Sequence, residues 1–186
     1  MALKDNELLS VIPNRAGLPG WNQTRFQEEV EALASSGLRY VRVVDEKPSG
    51  GFGGSSVVST WQLRDLNTIT HNDGSIASLA ANVVTLPAGT YRFQISVPGY
   101  AVNEHKARLN NTTDAITYLG TNAAASAGNG DSSFVTGKFV LTGDTDFQVE
   151  QWTNAAVANN GLGRPTFIPA VNELYTVVEF FQLVPG

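Results

Sequence analysis

The chain has 186 residues, of which 42% are hydrophobic and 16% charged, with a net charge of −5 and no cysteine. Its length suits one domain with a short appendage rather than two full domains. The negative charge and the scattered Lys and Arg residues argue against nucleic-acid binding, and the absence of cysteine excludes disulfides and thiolate metal sites. No apolar run approaches the roughly 20 residues of a membrane span, and the N-terminus is unlike a signal peptide. We therefore expect synthesis in a cytoplasm without membrane insertion.

Residues 1–44 are predicted to form an arm and one short helix. Two prolines and two glycines interrupt any regular period in residues 1–20. Thr24 and Gln27 then have the spacing of a capping box, and apolar residues follow at helical spacing. A helix of this length is marginal in isolation, so we expect it to anchor the chain to another protein. The candidate anchor residues are Phe26, Val30 and Leu33.

A flexible linker is predicted over residues 45–56, because residues 48–56 consist almost entirely of glycine, serine and proline. Residues 38–44, just before it, could add a short strand. Residues 57–186 are then predicted to form a separate head domain.

Short β-like segments fill the head, and turn-forming pairs such as Asp73-Gly74 and Asn129-Gly130 separate them. Apolar and polar residues alternate most clearly in residues 91–97, which indicates a strand with one buried face. Regularly spaced short strands of this kind predict a β-sandwich or barrel. The other predicted strands are residues 83–86, 105–109, 134–141, 147–152 and 174–183.

The last strand, residues 174–183, is apolar at successive positions, so both of its faces are expected to be buried. A sandwich covers only one face. The second face is covered either by another subunit or by the arm or a loop of the same chain. The candidate interface residues are Tyr175, Val177, Phe180 and Phe181.

Residues 61–183 resemble the C1q/TNF-like jelly rolls of tailed-phage virion structural proteins. The likeness is carried by residues 61–68, 86–93, 102–109 and 173–177 in that order. The resemblance implies a mainly β, ten-stranded jelly-roll sandwich that forms a homotrimer, with the aromatic last strand near the threefold axis and no catalytic role. Secreted C1q proteins have a collagen-like Gly-X-Y stem, which this chain lacks.

Catalytic and metal-binding chemistry is sparse. The two histidines, His71 and His105, have no second histidine at ligand spacing and no nucleophile-elbow serine, so we expect no catalytic, cofactor-binding or metal-binding residue. A glycan depolymerase would need paired carboxylates, and although Glu150 and Glu179 lie on predicted strands, no spacing makes them partners. Asp144 and Asp146 offer oxygen ligands for Ca²⁺, but such residues are also typical of a solvated turn. Whether a calcium ion binds stays open.

An aromatic platform for a sugar ring is a further hypothesis. Trp152, Tyr118 and Tyr100 are its candidates, although aromatic residues of small sandwiches more often belong to the core. The Asn-rich loops at residues 120–131 and 154–163 could add hydrogen bonds to a host ligand. The candidate contacts are Asn122, Asn129, Asn154 and Asn159.

These observations lead us to expect a non-enzymatic homotrimer on the surface of a tailed-phage virion, made in the host cytoplasm. Residues 1–44 would bind another virion protein, and the head would attach to a host glycan or protein as a fibre or spike tip. The alternative is a capsid decoration or head-fibre protein. A hinge between anchor and head favours attachment, because an attachment protein must reach its receptor.

Overall fold

The computed structural model describes residues 37–126 and 128–184, which form a sandwich of two antiparallel sheets. The first sheet has five strands in the order β3-β1-β11-β6-β9, and the second has the order β4-β5-β10-β7-β8, with β2 paired to β10. The strands are β1 (Leu38–Lys47), β2 (Gln62–Leu63), β3 (Thr68–Asn72), β4 (Ser78–Ala80), β5 (Val83–Leu86), β6 (Gly89–Tyr100), β7 (Asn103–Asn111), β8 (Ile116–Ala125), β9 (Gly130–Leu141), β10 (Thr145–Thr153) and β11 (Glu173–Leu183).

The expected mainly β sandwich is confirmed, with eleven strands in the described residues instead of ten. Four of them, β2, β3, β4 and β8, are not among the strands that the sequence predicts. A 3-10 turn at Asp73–Ser75 lies between β3 and β4. The helix predicted around Phe26, Val30 and Leu33 lies outside the described residues, as does the rest of residues 1–36. No helix of the described part is long and apolar enough to cross a membrane.

The core lies between the two sheets and is built from alternate residues of each strand. In β6, Tyr91, Phe93, Ile95 and Val97 are buried, as the alternating sequence predicts. Phe139 of β9 stands at the centre of an aromatic cluster. Its ring centroid lies 5.3 Å from that of Phe93, 4.8 Å from that of Phe147 and 6.3 Å from that of Phe180. Rings from both sheets therefore close the sandwich.

Strand β1 corrects the boundary drawn at residue 44. It lies between β3 and β11 in the first sheet, and its Val41 and Val43 belong to the core. The head domain therefore includes residues 38–47, which the sequence-based prediction assigns in part to the anchor (1–44) and in part to the linker (45–56). Unbroken pairing with β11 from Leu38 to Val44 is the physical reason, because it fixes this segment in the sheet.

Residues 48–56 correct the prediction of a flexible linker. The amides of Gly53, Gly54 and Ser56 donate to the carbonyls of residues 163, 159 and 157, at 3.1, 2.8 and 3.0 Å. Gly163 has a φ of +143°, and a Cβ there would lie 2.1 Å from the ring of Tyr175. The glycines here allow the segments 48–56 and 157–163 to pack closely. The composition alone predicts a mobile hinge instead.

Candidate functional site

Two of the four candidate interface residues belong to the interior of the single chain. Phe180 is 0% exposed and packs in the core, so it cannot contact another subunit. Tyr175 is covered by its own chain, because its hydroxyl donates to the carbonyl of Gly51 at 2.6 Å. The apolar run of β11 thus has a simpler cause than two subunit contacts. From Thr176 to Gln182 its even-numbered residues point inward and are buried, with Val178 and Phe180 in the core, while Val177 and Phe181 point outward and are partly exposed.

The outward side of the first sheet is a surface with apolar ends and a polar middle. Strand pairing places Leu38, Leu183 and Val140 in one outward row, and Val177 and Phe134 in another. Val140 is 72% exposed and Phe134 is 52% exposed, which is unusual for side chains on a sheet. We call this surface the apolar face; it consists of Leu38, Phe134, Val140, Val177, Phe181 and Leu183.

Polar groups in the middle of the apolar face bond to one another. The carboxylate of Glu179 accepts hydrogen bonds from the Tyr40 hydroxyl and from the Gln94 amide. Burial, together with the nearby Glu179 carboxylate, raises the pKa of Tyr40 to about 12. Two depressions of about 700 and 360 Å³ lie on this face, the larger beside Phe181 and Leu183 and the smaller beside Val177 and Phe134. The face therefore offers recesses that another surface could fill.

A different kind of site lies on the outward side of the second sheet. Trp152 of β10, Lys106 of β7 and Asn122 of β8 stand opposite one another on three adjacent strands. Trp61, just before β2, and Glu104 complete the wall of a cavity of about 440 Å³ that also touches His105. We call this the tryptophan site, defined by Trp61, Glu104, Lys106, Asn122 and Trp152.

Neighbouring charges hold the tryptophan site in place. The Arg108 guanidinium lies 4.2 Å from the ring centroid of Trp61, and its Nε donates to the Glu150 carboxylate at 2.5 Å. On the other side, the Asn154 amide donates to the Glu104 carboxylate at 2.7 Å. That hydrogen bond is the main reason why the pKa of Glu104 is lowered. The site therefore carries ionised, fixed polar groups around two indole rings.

The predicted ligand residues are only partly brought together. Trp152 and Asn122 line the tryptophan site, and Asn154 bonds to its Glu104. Residues 120–125 belong to strand β8 instead of a loop, and Asn129 and Asn159 lie on other loops. Asn159 is tied to the 48–56 segment, since its backbone N–H donates to the Ser55 hydroxyl at 2.8 Å.

The predicted aromatic platform is wrong in two of its three members. Tyr118 packs against Phe93 at 5.3 Å between ring centroids, and Tyr100 pairs with Arg164 in a separate cavity. Trp61 takes their place beside Trp152. The sequence carries no signal that Trp61 shares a recess with Trp152. Trp61 precedes β2, a strand of only two residues, and β2 pairs with β10, which lies far along the chain.

The residues weighed for catalysis do not assemble into a site. Glu150 and Glu179 lie outward on different sheets, so they cannot flank one substrate. His105 is buried, and its Nδ1 accepts a hydrogen bond from Gln151 at 2.9 Å, whereas His71 pairs with Asp73 at the surface. Among the described residues, no three His, Cys, Asp or Glu side chains lie close enough to hold a metal ion.

Arg64 is a buried cation that joins the two sheets. Its Nε donates to Thr176 of β11 at 2.8 Å, its Nη1 to Gln151 of β10 at 2.9 Å and its Nη2 to the carbonyl of Leu162 at 2.7 Å. Complete burial lowers its pKa to about 10, so it stays charged at neutral pH. Because every guanidinium nitrogen is bonded within the chain, the residue has a structural role.

Comparison with known proteins agrees with this geometry. No family model and no curated protein matches the chain. Among solved structures, the globular domain of the zebrafish complement 1qA protein is similar, with a TM-score of 0.52 and 13% identity over 80% of this chain and 99% of that chain. The fold is a C1q/TNF-like jelly roll. Murine APRIL also matches this jelly roll, with a TM-score of 0.47 and 13% identity over 79% of this chain and 100% of that chain.

Proposed function

We propose that the jelly roll forms a homotrimer through the apolar face. The observation that carries this proposal is the outward exposure of Phe134 and Val140, together with Leu38, Phe181 and Leu183, on a single sheet surface. A monomeric antiparallel sheet normally presents polar residues to water, so large apolar side chains exposed at both ends of one sheet surface indicate a protein interface. Three copies around one axis would bury this surface in a closed assembly.

We further propose that the trimer is a non-enzymatic structural component of a tailed-phage virion. The resemblance of residues 61–183 to virion jelly rolls supports this role. The head is complete from residue 38 onward, which leaves residues 1–36 for contact with the particle. In this arrangement the head is displayed on the virion surface and the preceding segment holds it there.

Host attachment is the role that the tryptophan site favours. A recess lined by Trp61 and Trp152 with polar side chains around it is suited to a ligand, and it lies on the opposite face of the sandwich from the apolar face. Capsid decoration is the second candidate, favoured by a different observation. The segment 48–56 is bonded to the head, so it supplies no hinge for reach.

Light scattering on the full chain over a wide concentration range tests the trimer. We expect about three times the 19.9 kDa of one chain. Phe134→Asp places a carboxylate on the apolar face and should reduce the mass toward that of one chain while the fold is kept. A wild-type monomer at high concentration would overturn the trimer.

Phage particles test the virion role. Removal of residues 1–36 should abolish incorporation of the head into particles, and unchanged incorporation would contradict the anchoring role. Alanine substitution of Trp152 in intact particles should reduce adsorption to host cells if the head serves attachment. Normal adsorption combined with lower resistance of the particles to heat would favour decoration.

A further inference from the structure

We propose that the tryptophan site binds an uncharged saccharide unit. This inference rests on the proposed attachment role and names the ligand class for it. The site is built from Trp61 and Trp152 with Lys106, Asn122 and Glu104 around them. The five side chains come from three neighbouring strands and the residue before a fourth.

The size of the site fits one or two sugar rings. Its volume of about 440 Å³ falls within the roughly 300–1,000 Å³ that is typical of small-ligand sites. Both indoles are only partly buried, so each offers ring surface to solvent. A pyranose ring has one face of C–H bonds, which can pack on an aromatic ring, and hydroxyls around its edge that need polar partners.

The site supplies both hydrogen-bond donors and hydrogen-bond acceptors for those hydroxyls. The Lys106 ammonium donates, the Glu104 carboxylate accepts, and the Asn122 amide does both. Asn154 fixes the Glu104 carboxylate with a hydrogen bond of 2.7 Å from its amide. Sugar hydroxyls both donate and accept, so this combination matches a saccharide better than it matches a purely apolar or a purely acidic ligand.

The charges of the site balance. Lys106 and Arg108 are positive, and Glu104 and Glu150 are negative, with Arg108 and Glu150 in contact at 2.5 Å. Such a balanced surface provides no net field to attract a polyanion. We therefore assign the site to an uncharged sugar unit, in preference to a phosphate or a sulfated chain.

The rings are held before any ligand arrives. Trp152, Lys106 and Asn122 stand on paired strands, and the Arg108 guanidinium lies 4.2 Å from the ring centroid of Trp61. Sites on paired strands keep their geometry better than sites on loops, and a preformed site loses less entropy on binding. Single sugar units usually bind weakly. Three copies in one trimer would bind one polysaccharide more tightly than a single site does.

The first test uses the labelled full-length protein on two kinds of probe. The probes are neutral oligosaccharides of glucose, galactose, rhamnose and N-acetylglucosamine, and bacterial surface extracts treated with either periodate or protease. We expect binding to at least one neutral oligosaccharide, and binding to extracts that periodate abolishes and protease does not. Binding that protease abolishes and periodate leaves intact would overturn the proposal in favour of a protein ligand. Failure to bind any probe would also overturn it.

Variants then place the binding at this site. Trp152→Ala and Trp61→Ala should each weaken binding at least about tenfold, which corresponds to about 1.4 kcal/mol. Trp152→Phe should retain most of the affinity, which separates lost stacking from lost folding. Tyr100→Ala is the matched control, since Tyr100 is aromatic and partly exposed but lies in another cavity. If both tryptophan variants bind like the wild type, the site is wrongly assigned.

The saccharide proposal and the trimer proposal can fail independently of each other. A trimer that binds no saccharide would overturn this inference alone. A monomer that binds a saccharide through Trp61 and Trp152 would keep the site and overturn the trimer.

Discussion

The two outward surfaces of the sandwich differ in how their large side chains are held. On the first sheet, Phe134 and Val140 are well exposed, and the neighbouring polar groups bond to one another instead of covering them. On the second sheet, Trp61 is fixed by a cation and Trp152 stands in a row with Lys106 and Asn122. Apolar area that residues 37–126 and 128–184 leave exposed is suited to another protein surface, whereas aromatic rings framed by polar groups are suited to a small polar ligand.

The largest loss of stability is expected for a buried residue of β11. Phe180→Ala should lower the free energy of unfolding by about 3–5 kcal/mol, because it removes a ring from the centre of the core. Leu119→Ala, at a side chain that is 62% exposed on the outward face of the second sheet, is the control and should cost about 1 kcal/mol or less. Urea denaturation at equal protein concentration measures both. Equal losses would show that the outward face is as closely packed as the core.

The next largest effect concerns the contact between the two sheets. Arg64→Leu should destabilise the chain by about 3 kcal/mol, because it leaves the side chains of Gln151 and Thr176 without their buried donor. Arg108→Leu is the control on the second outward surface and should cost about 1 kcal/mol. Thermal unfolding followed by circular dichroism compares them. A smaller loss for Arg64 than for Arg108 would remove its role in joining the sheets.

A third prediction compares the two outward surfaces directly. Val140→Asp should weaken self-association at least about tenfold, because assembly would bury a carboxylate. Leu119→Asp introduces the same charge at a position that is 62% exposed on the second sheet and should leave the mass unchanged. Analytical ultracentrifugation of both variants gives the comparison. If Leu119→Asp alone dissociates the assembly, the interface is on the second sheet.

The smallest expected effect is the pH dependence that His105 contributes beneath the tryptophan site. Burial lowers its pKa below the ordinary 6.5, so the native state keeps it neutral where the unfolded chain is protonated. The unfolded state then binds more protons, and stability decreases as the pH falls through 6.5 toward the native pKa, with no further loss below that value.

The variant His105→Gln should reduce this decrease in stability between pH 7.5 and 5, because a glutamine does not titrate. Urea midpoints of the variant and the parent at several pH values measure the difference, and other titrating groups cancel in it. An identical slope for the two proteins would exclude His105 as the cause.

Local patterns predict most of the sandwich but miss three of its four edge strands, β3, β4 and β8. Residues 91–97 alternate strictly, and they lie in a strand of the structure, as do the predicted strands at residues 134–141 and 147–152. Strand β8 is missed because its apolar residues do not follow its buried side: Ile116 and Leu119 are exposed, whereas its buried positions carry only the alanines Ala123 and Ala125. A composition rich in glycine predicted a linker, although the same residues allow two loops to approach closely.

The sequence by itself determined the β-sandwich class, the resemblance to jelly rolls and the absence of any thiolate chemistry, because these depend on composition and on the two-residue period of single strands. Only the tertiary structure decided which side of β11 faces outward, that residues 38–56 belong to the head and that Trp61 and Trp152 line the same recess. These features depend on strand register and on contacts between residues far apart in the chain. A pattern within one segment does not encode such contacts.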